Sequence, residues 1–297
     1  MAGQKTRFDA FLADEAEKYH GVLVPVKANL LERIFIRKVP CNKLHPNPND
    51  EFCNPAIGPN YEIISGYEHK LKEARMHTDP PWEDPILVEK MIPDGYLILN
   101  GHHRWAACVR FGEKKIGVRV VNLTQETDIR KMISESDHDR RATFDLDEVV
   151  FCSEDVPVQD PPAFPLNKIY KERIREGIPA VFHFLTAHHY DIWVYTAQYY
   201  SIEYIRKLFR SYHVHVDGIV TGTGRPQDKE NDTKKKLEQL IKGKYKQTIH
   251  IDDKTLIRSW SDKKDFDQFE ISAEGASWSQ QTLQILKNIT KEGTVLS

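Results

Sequence analysis

Asp145-Leu-Asp147 sets two carboxylates one residue apart at the end of an apolar-leaning run, Arg141-Ala-Thr-Phe144, with Val149-Val-Phe151 just after it. At a strand end such a pair can divide the labour of phosphoryl transfer. One carboxylate attacks phosphorus and the other protonates the leaving oxygen, provided a bound Mg²⁺ neutralises the charge that would hold attacker and phosphate apart. Asp-x-Asp is also an ordinary surface turn, so the weight rests on the order of the motifs downstream. Tyr190-Asp-Ile-Trp-Val-Tyr195 reads as a buried strand ending at Thr196, and Lys246-Gln-Thr-Ile-His-Ile251 as another ending at Asp252-Asp253. Between them, Leu237-Glu-Gln-Leu-Ile241 is a helical run opened by Lys234, Lys235 and Lys236.

The order strand with Asp-x-Asp, strand with Thr, helix with Lys, strand with Asp-Asp resembles the haloacid dehalogenase-like (HAD) superfamily over roughly residues 139–289. The resemblance implies that Asp145 is the nucleophile that forms an aspartyl-phosphate, and that Asp147 is the general acid and base whose backbone carbonyl also faces the metal. It further implies that Thr196 hydrogen-bonds the transferring phosphoryl group, that Lys234 neutralises its oxygens, and that Asp252 and Asp253 hold Mg²⁺ directly or through water. The family commonly places Gly-Thr after its second aspartate, whereas Glu148-Val149 stand here. Metabolite phosphatases of this family generally carry a cap domain. Here the interval after the first motif is proline-rich through Phe164-Pro165, then helical around residues 168–176, and the next holds only a helix at 202–212 and a strand at 213–220. Neither has room for a full cap, so the expected site is open to a large substrate unless another domain covers it.

Upstream lies a second set of motifs. Pro85-Ile-Leu-Val88 reads as a strand, Asp94-Gly95 as a turn into Tyr96-Leu-Ile-Leu99, and Asn100-Gly101-His102-His103-Arg104 as the entry to a helix, Trp105–Phe111, stopped by Gly112. Ile116–Val121 closes the set as a strand. Glycine between strand and helix lets the backbone approach an anion, and free amides with His102, His103 and Arg104 offer donors to phosphate. With Ile36–Leu44 and the loop His45-Pro-Asn-Pro-Asn-Asp50-Glu51 ahead of it, residues 37–122 are similar to the ParB/sulfiredoxin family. That family binds nucleotide phosphates at Gly-x-His-Arg or Gly-Glu-Arg-Arg. His102 stands where sulfiredoxins carry cysteine, so sulfinic acid reduction is not expected. No helix-turn-helix reads after Asn122, which leaves the branch similar to free serine kinases, where an acid after the first strand activates a hydroxyl. Glu51 and Asp50 are the candidates.

The expected architecture is α/β: a ParB/sulfiredoxin-like α+β domain over residues 1–135 with an N-terminal helix, then a capless HAD-like Rossmannoid domain with a parallel sheet over 139–297. Phe8, Phe11, Leu12, Ala16 and Tyr19 mark one face of that first helix. With 297 residues, 40% of them hydrophobic, the chain can bury two ordinary cores, and a net charge of −2 gives no global footprint for nucleic acid. The lysines from Lys229 to Lys246 form a local one. Thirteen histidines and four cysteines show neither C-x-x-C nor zinc-ligand spacing. His188-His189 would point to opposite faces of a strand, whereas His213 and His215 would share one. Gly222-Thr-Gly224 is a strand-end turn rather than a dinucleotide fingerprint. No signal peptide or membrane span is read, so a cytoplasmic protein with reduced thiols is expected.

The motifs support two functions. The first is a bifunctional phosphoryl-transfer enzyme, a nucleotide-dependent kinase-like half and a Mg²⁺-dependent phosphatase half, using ATP or another nucleotide on a phosphorylated or hydroxyl-bearing substrate. The second is a nucleotide-sensing binding protein that docks on a partner or on DNA.

Overall fold

The protein is described from a computed structural model that covers residues 6–19, 22, 24–76, 81–82, 84–223, 233–272 and 277–295. It is a mixed α/β chain whose compact units divide between Asn122 and Leu123.

The first unit contains α1 (Arg7–Tyr19), β1 (Val24–Pro25), α2 (Leu30–Ile34), β2 (Arg37–Pro40), β3 (Leu44–His45), α3 (Tyr61–Met76), β4 (Ile86–Ile92), β5 (Tyr96–Asn100), α4 (His102–Phe111) and β6 (Lys115–Val121). Its sheet runs β2-β6-β4-β5-β3, with β1 added to the end of β4. β4 lies parallel to β6 and antiparallel to β5. Ile86, Val88, Ile98, Val118 and Val120 alternate into a core shared with Ala106 and Ala107 of α4 and with Ile64 and Leu71 of α3. Trp105 is fully buried there and donates its indole N–H to the Cys41 carbonyl at 3.1 Å.

The second unit contains α5 (Glu126–Glu135), β7 (Arg140–Asp145), α6 (Ile178–Ala187), β8 (Tyr190–Tyr195), α7 (Ile202–Ser211), β9 (Gly218–Val220), α8 (Thr233–Lys244), β10 (Gln247–Ile251), β11 (Thr255–Trp260), β12 (Phe266–Glu270) and α9 (Trp278–Val295). The sheet order is β12-β11-β10-β7-β8-β9. The strands β10, β7, β8 and β9 are parallel, and β11 and β12 continue the sheet as an antiparallel hairpin. Parallel strands covered on both faces need apolar side chains on both. Accordingly Ile192 and Val194 of β8 join the core beneath α6, α7 and α9, while Trp193 between them faces Ile129 and Met132 of α5, Ile241 of α8 and Tyr245 just after it.

The β7, β8 and β10 strands and the Asp94-Gly95 turn lie where the sequence puts them. Elsewhere the structure differs. The strand expected over 213–220 shrinks to Gly218–Val220, because His213 takes a left-handed conformation (φ 61°) and ends the turn after α7. The helix expected at 168–176 is only one 3-10 turn, Leu166–Lys168, and the full helix begins at Ile178. The sequence pattern predicts no element over α3 or the β11–β12 hairpin.

Gly218 shows how tightly the second sheet is built. It pairs with Trp193, and a Cβ there would lie 1.9 Å from the indole ring. The indole cannot swing away without breaking its 2.9 Å bond to the Tyr245 hydroxyl. Gly218→Ala is therefore expected to cost about 3 kcal/mol, the upper end for overpacking a core, which lowers the melting temperature by roughly 6–12 °C. An unchanged melting curve would refute this packing.

Candidate functional sites

At the first site, Gly101 sits between β5 and α4 with φ 102°, a conformation that side chains other than glycine's rarely adopt. The helix starts at once: Trp105 N–H already bonds back to the Gly101 carbonyl at 3.0 Å. The amides of His102, His103 and Arg104 belong to the first turn, where no intrahelical acceptor exists, so they form a ready anion cradle.

The side chains do something other than the sequence suggested. His102 is buried, and its Nε2 accepts the Asn47 N–H at 3.3 Å, while Nδ1 lies 3.9 Å from the Asp50 carboxylate. His103 Nε2 accepts the Asn60 N–H at 3.1 Å. Phe52 stacks on the His102 ring (5.3 Å) and meets the His103 ring edge-on (5.1 Å). Both imidazoles thus tie the loop at 47–60 to the glycine turn. Arg104 Nη1 donates to the Asp84 carbonyl and Nη2 to Asn100 Oδ1 at 3.5 Å, which braces the turn from beneath.

Asp50 caps the 3-10 turn Glu51–Cys53 through its bond to Phe52 N–H (2.9 Å) and is the acid beside His102; Glu51 is exposed on the outer side of that turn. Asn47, Asn60 and Phe52 were not singled out from sequence, and the Asn/Pro loop was the only signal for them.

Burial drives the His102 pKa down to about 4, partly opposed by the Asp50 carboxylate. The folded value lies below the unfolded one, so the unfolded chain binds the extra proton. This contribution to stability is complete above pH ~6.5 and drains away as the pH falls toward 4, amounting to about 3 kcal/mol. Denaturant unfolding at pH 7 and pH 5 is expected to show part of the loss, and His102→Gln should make the pH dependence shallower, leaving the shares of His45 and His103, whose pKa values burial also lowers. Equal pH slopes in both proteins would contradict a buried neutral imidazole.

At the second site, Asp145 closes β7, and its Oδ1 accepts the N–H groups of Asp147 (2.7 Å) and Glu148 (3.1 Å). Those bonds cap a single wide turn, Leu146–Val150, closed by Phe151 N–H to the Leu146 carbonyl at 2.7 Å. Such five-residue closures are rare and recur at functional positions. The turn points Leu146, Val149 and Val150 into the core, which is why Glu148-Val149 can stand after the second aspartate. Register sets Asp145 beside Tyr195, so Thr196 leaves the neighbouring strand at the same edge. On the other side Phe144 pairs with Ile251, which puts Asp252 next to Asp145.

Thr196 is fully buried. Its hydroxyl faces both oxygens of Asp147 at 2.8 and 2.9 Å, and the Ala197 N–H adds a third contact at 2.9 Å. In this structure Thr196 therefore orients Asp147. Asp252 accepts the Asp253 N–H at 2.7 Å and hands its carbonyl to the Trp278 indole at 3.2 Å. Lys234, Lys235 and Lys236 fall within α8, but their side chains lie outside the described residues. His250 bonds Thr143 Oγ1 across the strands at 2.9 Å and fills a strand position. Among the described residues no group of three or more His, Cys, Asp or Glu side chains sits at metal-ligand spacing, and no helix is long and apolar enough to cross a membrane.

The fold and the glycine turn define a mixed α/β chain with a ParB-like N-terminal part. Residues 82–137 match the model of the ParB N-terminal domain family. An ATP-dependent L-serine kinase from Staphylothermus marinus is 36% identical over 70 residues, which is 23% of this chain and 27% of that protein. The C-terminally truncated chromosome-partitioning protein ParB of Caulobacter crescentus, solved with CTP-γ-S, is 25% identical over 35% of this chain and 56% of that chain, with a TM-score of 0.24. The chain thus spans about a quarter of the curated relative and just over half of the solved one.

Proposed function

We propose that the chain is a two-part phosphoryl-transfer protein: a nucleotide-binding N-terminal unit and a HAD-like phosphatase in the second unit. The match to the ParB N-terminal domain family and the likeness to a serine kinase that uses ATP support the first part. There the first-turn amides of α4 would hold the nucleotide phosphates. Asp50, fixed by the Phe52 N–H with its carboxylate 3.9 Å from His102 Nδ1, would be the base that activates a hydroxyl.

The observation that carries the second part is the register of β10, β7 and β8, which brings Asp252, Asp145 and Thr196 to one sheet edge. Its Oδ1 fixed by the turn amides, Asp145 has Oδ2 to present to phosphorus. Asp147, aimed by Thr196 and Ala197, would give a proton to the leaving oxygen and take one from water afterwards. Asp145 and Asp252 are the carboxylates that would hold Mg²⁺, an ion that takes one or two carboxylates and keeps several waters. When bound, it would offset the phosphate charge.

A second reading is favoured by the family match alone: a nucleotide-sensing protein whose partner reads the bound state. One screen separates the two. The purified chain is titrated with ATP, ADP, CTP and GTP with and without Mg²⁺, then assayed for phosphate release from a panel of phosphomonoesters. Turnover supports the enzyme, whereas nucleotide binding with no turnover of any ester selects the sensor.

A further inference from the structure

A surface helix of a folded domain ordinarily turns its apolar residues inward, and α2 does the reverse. None of its five residues is buried. Glu32 is held against the protein, its side chain only 14% exposed: Oε1 accepts from Lys90 Nζ at 2.8 Å and from Arg37 Nη1 at 3.4 Å, and Oε2 accepts the Asn29 N–H at 2.8 Å. Arg33 Nε donates to the carbonyl of buried Ala28 at 3.3 Å, and Ala28 is itself fixed by the side-chain amide of Asn122 through bonds of 2.8 and 3.1 Å. The apolar residues Leu30, Leu31 and Ile34 are left facing outward, Leu31 at 70% exposure.

The exposure extends beyond the helix. Phe35 and Ile36 follow it and stay more than half open, and Ile36 lies over Gly117 of β6, where a Cβ would stand 3.4 Å from its Cγ2. β1 adds Val24, paired with Ile92 of β4, and both are about half exposed. Lys90, which grips Glu32, stands two residues before Ile92 on the same strand, so the helix and strand residues belong to one surface. Single exposed aliphatic residues are ordinary. Together, however, these residues leave on the order of 800 Å² open, more than the ~300–600 Å² of the largest patch on a typical monomer.

We infer that a second copy of this chain docks on this face, the two copies related by a two-fold axis. The open area is close to the ~800 Å² that each partner gives to a standard stable interface. An aliphatic face is its own complement, so the same residues can supply both sides. The charges around α2 are already committed within the chain, Lys90 and Arg37 to Glu32 and Arg33 to the Ala28 carbonyl. Closing the face therefore strands no ion among them, and the same cations have little left to offer an anionic lipid surface. Glu32 and Asn29 also form a capping box, so the helix exists before contact and docking has little to order.

Sedimentation of the full chain over about 0.1–100 μM, a span chosen because interfaces of this area bind at micromolar strength or tighter, is expected to show two chain masses at the upper end. Leu31→Glu should raise the dimer dissociation constant at least about 30-fold, the effect of losing an interface hot spot, since symmetry sets an unpaired carboxylate on both sides. Its melting curve at the dilute end should match that of the unaltered chain, because the position is exposed. A second measurement needs no variant: amide exchange over residues 30–36 should slow as the concentration of the unaltered chain rises across the same span. A monomer throughout, a dimer that Leu31→Glu leaves intact, or exchange at 30–36 indifferent to concentration would each overturn the contact. A chain that stays monomeric yet cosediments with vesicles of equal parts phosphatidylcholine and phosphatidylserine would overturn it as well and give the face to a membrane.

Discussion

Asp145→Asn is expected to abolish Mg²⁺-dependent phosphate release. An amide is a far poorer nucleophile than a carboxylate, so no aspartyl-phosphate forms. Folding should survive, because an amide oxygen can still accept the Asp147 and Glu148 N–H bonds that cap the wide turn. Asp147→Asn should behave differently. Its oxygen can keep the Thr196 contact, but it can no longer deliver or take a proton, which removes about 10²- to 10⁴-fold and leaves slow turnover. A Thr196→Val variant should resemble Asp147→Asn if threonine works by aiming the acid. If it instead bound the phosphoryl group, KM would carry the effect. Phosphate release measured beside melting curves decides the matter: wild-type rates in Asp145→Asn would end the covalent mechanism, and a lowered melting temperature in that variant would contradict the capping argument.

The parallel core of the second unit was legible because β7, β8 and β10 each carry closely spaced apolar residues just before the polar Asp145, Thr196 and Asp252. What the sequence hid is polar and half-exposed. β12, Phe266-Asp-Gln-Phe-Glu270, alternates exposed and partly buried residues at the sheet edge, so it lacks the apolar content that marks a buried strand. α3 escaped notice since only Ile64 and Leu71 are buried along its sixteen residues and Gly66 interrupts it. In the first site the residue types were visible and their roles were not. His102 and His103 look like phosphate donors in a string of polar letters, yet a histidine's role depends on what stands opposite each ring nitrogen. Here that is the backbone of a loop some forty to fifty-five residues earlier, which no local pattern encodes.

Nucleotide binding by the N-terminal unit is expected to hinge on Gly101, and Gly101→Ala should weaken it at least about 10-fold. Two costs combine at that position. The φ of 102° is unfavourable for any side chain, worth about 1–3 kcal/mol. A Cβ would also stand 3.0 Å from Arg104 Nη2 and 3.1 Å from Ile86 Cγ1. The guanidinium can give way only by loosening its hold on the Asp84 carbonyl and Asn100, and that shift tilts the first-turn amides proposed to face phosphate. Gly112 provides the control. It ends the same helix with φ 81°, but a Cβ there meets nothing within 4 Å. Gly112→Ala should therefore lower stability by about 1–2 kcal/mol while leaving affinity for ATP or CTP intact. Titration calorimetry on both variants checks this contrast. Equal affinity in Gly101→Ala and the unaltered chain would remove the turn from the nucleotide site, and an equal loss in Gly112→Ala would assign the effect to general destabilisation of α4.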